Sequence, residues 1–282
     1  MDRTIELATK RIERRQIVLE LLSLTPILKG LIVLALAGLT YPITGVYLFR
    51  LNLLPLRFML MHGAILGGAM ALALQINPFW TTISVNLLLV LFMAKTSRSM
   101  KIDAGQISTF FMVISISLAF IFIYKFNVPA KDTLTLLWGN LFTLSWTEVT
   151  GIGAFATALV GFQYYFRRQL RALFFDREIA FTSGINESQL YYAVIFLVAI
   201  TVALAMKLIG ALLLDALLLL PPIIASFKAR SLRGMITGSA IWGGIFAIGG
   251  FLLSIAIDIP ASSSIAALAS IAFIIIYFIR NK

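Results

Sequence analysis

The sequence predicts an all-α polytopic membrane protein with eight to nine transmembrane helices. Three observations predict it. Of the 282 residues, 60% are hydrophobic and only 12% are charged, with a mean hydropathy of +0.98. A soluble domain carries roughly a quarter charged residues, so no soluble core of this size could hide so much apolar surface. Second, the apolar residues come in long runs, many of them about as long as a helix needs to cross a bilayer. Third, the 23 Lys and Arg residues, against 12 Asp and Glu, fall in short clusters between those runs. Cytoplasmic loops look like this under the positive-inside rule, so the net charge of +11 points to a lipid bilayer and not to nucleic acid.

Residues 1–22 form an N-terminal segment in which Ile5, Leu7, Ile12 and Ile17 recur at roughly helical spacing beside Lys10, Arg11, Arg14 and Arg15. It reads either as an amphipathic helix on anionic headgroups or as a basic solvated leader. No short apolar segment followed by a small-residue cleavage site is present, so no cleaved signal peptide is expected. Residues 23–282 read as a single transmembrane domain.

The first span covers about 26–49, with a kink expected where Pro42 and Gly45 fall. Arg50 and Arg57 flank a break at Pro55. The second span begins with His62, Gly63, Ala64, Gly67, Gly68 and Ala69, small residues that let helices approach closely. Asn77-Pro78 is a turn, 79–94 the third span, and Lys95, Arg98 and Lys101 an inner loop. The fourth span is about 107–124, followed by an outer loop rich in Trp and Thr that holds Asp132 and Glu148. Either acid could meet a partner protein or simply be solvated.

A fifth span, about 149–166, ends inside at Arg167, Arg168 and Arg171. The sixth (189–206) and seventh (208–226) are joined near the outer face by Lys207–Gly210. Lys228, Arg230 and Arg233 mark an inner loop, 234–257 the eighth span, and the last span ends inside at Arg280 and Lys282. Nine crossings with the C-terminus inside place the N-terminus outside, whereas the basic N-terminal segment argues for the inside.

Several segments together carry a family resemblance. Phe175, Asp176, Glu178, Ala180 and Gly184 fit F-D-P-E-x-A-x-x-x-G, with Arg177 in place of the proline. Gly210, Leu212, Leu213, Ala216, Leu217, Leu218 and Pro221 fit G-x-L-L-x-x-A-L-L-x-x-P. Met61 to Gly68 is similar to S-H-A-x-L-P-G. Leu137, Gly139, Leu141, Ser145 and Trp146 are similar to L-x-x-G-x-L-x-x-x-S-W, and Asp258-Ile259-Pro260 to D-x-P-x-G without its glycine. Taken in chain order, over about residues 46–275, they resemble the membrane permeases of ABC importers for zinc, manganese and iron.

The resemblance implies a type II-like metal ABC importer permease. It implies a dimer of permease copies around a central pathway, a cytoplasmic ABC ATPase dimer, an extracytoplasmic substrate-binding protein and a place in the cell membrane. It implies a cytoplasmic coupling segment at about 173–186, in which Asp176, Arg177, Glu178 and Gly184 engage the ATPase. No permanently bound cofactor is expected; the divalent metal is cargo.

Two residues stand out by their chemistry as well. Asp215 lies in the middle of Ala211–Leu220, where a carboxylate is costly unless it faces a cavity or a partner. It is a candidate for the pathway, or else a structural partner of Lys207 or of a neighbouring hydroxyl. His62 is the single histidine, and neutral imidazole is a common zinc or manganese ligand. It is a candidate metal ligand, or else a helix–helix hydrogen-bonding group. Metal-importing members of the family commonly carry an acid four positions before this histidine; here that position is Phe58. His62, Asp215 and Asp258 are the candidate pathway or metal-binding residues.

The absence of cysteine excludes disulfides and thiolate chemistry. No G-x-x-x-x-G-K-[ST] occurs, so ATP hydrolysis belongs to a partner and the chain is expected to be a transporter subunit, not an enzyme. The expected function is the import of a divalent metal ion. A metal chelate or other small solute is an alternative cargo, and a non-transporting membrane scaffold is an alternative class.

Overall fold

A computed structural model of the chain describes residues 24–100, 102–129 and 141–280. The amphipathic N-terminal segment and Asp132 lie outside these residues, as do the side chains of Arg177, Lys207, Leu208 and Leu212. The described residues form eleven α-helices and no strand: α1 (Thr25–Arg50), α2 (Leu54–Leu74), α3 (Pro78–Met100), α4 (Ala104–Lys125), α5 (Trp146–Tyr165), α6 (Arg167–Phe175), α7 (Arg177–Thr182), α8 (Glu187–Leu218), α9 (Leu220–Ser226), α10 (Leu232–Ile257) and α11 (Ala261–Arg280). An all-helical answer is what a bilayer demands, because a helix satisfies its own backbone polar groups.

Eight segments are long and apolar enough to cross a membrane, counting Glu187–Met206 and Ile209–Ser226 separately. The pair α5 and α6, bent by 75°, supplies a ninth. Side-chain contacts fix their sidedness. At one end, Lys29 donates to the Leu144 carbonyl at 3.1 Å and lies 4.8 Å from the Trp146 ring centre, joining the starts of α1 and α5. At the other, the Tyr47 hydroxyl meets Gln163 at 2.7 Å and Arg98 donates to Ser188 at 3.1 Å. That second end carries the basic helix termini and is therefore cytoplasmic.

α10 packs antiparallel to α1 through a glycine contact. A Cβ on Gly38 would sit 2.5 Å from the Ala247 Cβ and 2.6 Å from the Gly243 carbonyl oxygen. Only hydrogen fits there, so the two backbones touch and gain dispersion contact that lipid tails cannot match. Since α10 starts on the cytoplasmic side, α9 ends there, and Arg280 covers the Phe227 ring at 5.0 Å. α8 also starts there, so the chain reverses between its two halves. The reversal is made at Gly210, whose backbone takes φ 75° and ψ 174°. This is a conformation that glycine alone adopts readily.

The structure revises one local expectation. Pro55 does not break a helix; it lies in the first turn of α2, where its missing N–H is no loss and its fixed φ suits the helix. Arg57 therefore lies within the membrane helix and not in a flanking loop. Pro42 lies inside α1, which runs from Thr25 to Arg50.

α1 and α8 form the centre of the core, with Leu34, Tyr41, Tyr47, Val194, Val202 and Leu214 fully or almost fully buried. α4 and α11 are peripheral. Phe110, Val113, Phe120 and Ile121 on the first, and Ile271, Ile274, Ile275 and Phe278 on the second, are exposed. In water this would be a liability, but against acyl chains it is the stable arrangement.

Candidate functional site

Among the described residues an ion pair joins α2 to the second half of α8. Arg57 projects from the first turn of α2 and forms an ion pair with Asp215, six residues past the start of the Ile209–Ser226 span. Arg57 is 6% exposed, whereas the Asp215 side chain is 40% exposed. The guanidinium carbon also lies 4.1 Å from the centre of the Phe58 ring, a cation–π contact worth more when desolvated. One guanidinium thus touches both the carboxylate and the aromatic ring. The Nε–H of Arg57 is buried without a hydrogen-bond partner.

Asp215 is therefore paired across the helix interface with Arg57. The expected alternative, a pair with Lys207 along one helix, needs a nearly continuous turn sequence, and the Gly210 break removes that continuity. The missed signal was an arginine inside an apolar stretch, since an intramembrane cation requires an anion nearby.

His62 stands one turn beyond Phe58. Its Nδ1 lies 2.7 Å from the Phe58 carbonyl oxygen. A carbonyl only accepts, so Nδ1 carries the hydrogen and neutral imidazole keeps its lone pair on Nε2. A backbone hydrogen bond of this kind commonly orients a metal-binding histidine. Phe58 itself is 42% exposed, and the Asp215 side chain is likewise partly open within the membrane span.

Asp258 does not join them. It caps the outer end of α10 in the left-handed conformation, φ 55°, with its N–H bonded to the Ser254 carbonyl. Among the described residues no group of three or more His, Cys, Asp or Glu side chains could hold a metal ion. His62, Asp215 and Asp258 do not form one coordination cluster.

Charge decides what the open carboxylate can do. A dication about 4 Å from a lone carboxylate gains roughly 8 kcal/mol at an effective dielectric of about 20, and a guanidinium about 3 Å farther away returns roughly 5 of it. With Arg57 behind it, Asp215 offers a cation a weak hold.

On the cytoplasmic side, α6 buries Leu170 and Leu173 and leaves Arg167, Arg168 and Arg171 exposed. α7 follows, capped at both ends. Asp176 accepts from the N–H groups of Glu178 at 2.7 Å and Ile179 at 3.1 Å, satisfying donors that a helix start leaves free. At the other end Gly184 has φ 75°. Its N–H bonds to the Phe181 carbonyl and that of Ile185 to the Ala180 carbonyl, the bond pattern of a Schellman stop. Asp176 and Gly184 thus shape the element, while Glu178, Ile179 and Phe181 are exposed on it, as is Phe175 before it. Large apolar side chains are thus held outward by a short helix stopped at both ends. Glu148, at the outer end, closes a capping box with Ser145, which gives it a local structural role.

A multi-pass helical bundle with an intramembrane ion pair fits the membrane subunit of a transporter. Residues 23–280 match the family model of the ABC 3 transport family, and the chain belongs to that family. It is 27% identical over 223 residues to the high-affinity zinc uptake system membrane protein ZnuB of Haemophilus influenzae, covering 79% of this chain and 85% of that protein. It is 22% identical over 266 residues to the manganese transport system membrane protein MntC of Halalkalibacterium halodurans, covering 93% and 90%. Its fold is that of a chain in the solved structure of PsaBC from Streptococcus pneumoniae in complex with Fab. The TM-score is 0.81 at 22% identity, over 94% of this chain and 95% of that one. The chain is thus a multi-pass ABC permease subunit and not an enzyme, and family membership sets aside the scaffold reading.

Proposed function

We propose that this permease imports a divalent metal ion, manganese, zinc or iron. Two copies line the pathway, an ATPase dimer binds α7 from the cytoplasm, and an extracytoplasmic binding protein delivers the ion. The metal is cargo and no resident cofactor is invoked. The names of the zinc and manganese relatives support this reading of the cargo. Within the molecule, the observation that carries it is a partly open carboxylate at membrane depth, Asp215, with the His62 imidazole, oriented through Nδ1, on the same helix as its partner Arg57. A carboxylate in that position is costly against lipid tails and is at home in a wet pathway. ATP binding and release would rock the two copies and open that pathway to each side in turn.

In this reading α7 transmits the motion. Ile179 and Phe181 anchor it in the ATPase, Glu178 and Arg177 set its register, and the caps at Asp176 and Gly184 keep it stiff.

A second cargo, a metal chelate or other small solute, is favoured by one feature: Phe58 and the Arg57-compensated Asp215 make their surroundings less anionic than a bare dication prefers. Element-resolved uptake tests both. Cells expressing the chain with its ATPase and binding protein should accumulate manganese, zinc or iron selectively, and His62→Ala should lose that uptake. An assembled complex that accumulates no element would overturn metal import in favour of the second cargo.

A further inference from the structure

We infer that Arg57 is the positioning residue that sets how tightly Asp215 holds a divalent cation in transit, keeping the hold weak enough for release. The inference rests on the metal-import reading and adds to it a residue that lies outside the candidate ligand set.

The geometry is asymmetric. Arg57 is almost wholly buried, while Asp215 keeps much of its side chain open. A cargo ion can therefore reach the carboxylate from its open side and cannot reach the guanidinium. Lipid is not a tolerable neighbour for that open carboxylate, so its exposed side faces water or a protein partner. Arg57 sits behind, held on one side by the ion pair and on another by the face of Phe58. This fixes the direction of the carboxylate and cancels most of its charge.

The burial is unequal: the guanidinium is almost wholly enclosed while the carboxylate is partly open. A conducting site must bind strongly enough for entry and weakly enough for exit. A lone carboxylate would favour entry at the expense of exit. The permanent positive charge behind it moves the balance toward exit. Phe58 contributes by giving the guanidinium a second contact, so that Arg57 need not follow the carboxylate when an ion arrives.

The test uses the permease–ATPase complex. Mn²⁺ binding is read by electron paramagnetic resonance of the free ion, and ATP-driven Mn²⁺ uptake is measured in proteoliposomes with the binding protein added. Arg57→Gln is expected to tighten Mn²⁺ binding by about tenfold or more while slowing uptake by a similar factor. Arg57→Lys should keep both within about threefold. The double variant Arg57→Gln with Asp215→Asn should lose the added affinity and bind more weakly than wild type.

Unchanged or weaker Mn²⁺ binding in Arg57→Gln, or tight binding that persists in the double variant, would overturn the inference. Should Arg57→Gln fail to assemble, the double variant, which leaves no unpaired charge, decides: Mn²⁺ binding equal to wild type removes Asp215 and Arg57 from the path. Failure of the underlying reading looks different. A wild-type complex that hydrolyses ATP but neither binds nor imports Mn²⁺, Zn²⁺ or Fe²⁺ overturns metal import itself, and the inference falls with it.

Discussion

The Nδ1 atom of His62 lies 2.7 Å from the carbonyl oxygen of Phe58, one helical turn earlier. In a water-exposed helix this contact would be incidental. Here it orients the single histidine and leaves Nε2 as the nitrogen facing away from the backbone. It also ties His62 to the residue whose ring carries Arg57. The histidine and the ion pair therefore sit on successive turns of α2.

The ion pair should be energetically coupled. Asp215→Ala leaves a buried guanidinium without its anion and should destabilise the protein by about 2 kcal/mol, less than a fully buried pair would lose because Asp215 is partly open. The double variant Arg57→Met with Asp215→Ala should recover at least half of that loss. Thermal melting of the four members of this cycle in detergent checks it; additive losses would mean that the two residues do not interact.

The α1–α10 contact should tolerate no side chain. Gly243 abuts the Gly38 backbone, and an added Cβ would also meet the Pro42 ring at 2.5 Å. Gly243→Val must push the helices apart, at a cost of about 3 kcal/mol. Gly161→Ala, where the added Cβ would meet nothing within 4 Å, should leave the protein unaffected. Yield and monodispersity on size exclusion distinguish the two, and equal behaviour would argue against the close packing of α1 on α10.

The coupling element should depend on its caps and its charge separately. Asp176→Ala removes an N-cap worth about 1 kcal/mol and should weaken ATPase co-purification moderately. Glu178→Arg, which reverses an exposed charge without touching the caps, should weaken it more while insertion stays normal. Co-purification with tagged ATPase gives the readout. Undiminished recovery with Glu178→Arg would take that residue out of the interface.

Much of the architecture was legible in the chain alone. The spans from the third onward fall where the apolar runs and basic clusters placed them, because hydropathy and loop charge are local properties that a bilayer reads directly. The site was legible only in part. Asp215 announced itself as an acid in an apolar run, but Arg57 was hidden by Pro55, which looked like a break and is in fact the start of α2. The sequence pattern for a helix start and for a helix stop is similar at proline, and only the continuation of the helix distinguishes them.

By itself, then, the sequence determined a multi-pass helical protein, its basic side, its lack of thiol and P-loop chemistry, and the polar residues that the membrane must accommodate. These follow from composition and short-range periodicity. The tertiary structure decided which of those residues meet. The Arg57–Asp215 pair joins positions 158 residues apart, and it exists because the reversal at Gly210 brings the second half of α8 back alongside α2. The same packing leaves Asp258 at the outer end of α10, apart from His62 and Asp215. Desolvation at the helix interface compels Arg57 to find an anion, and which anion it finds depends on how the helices cross.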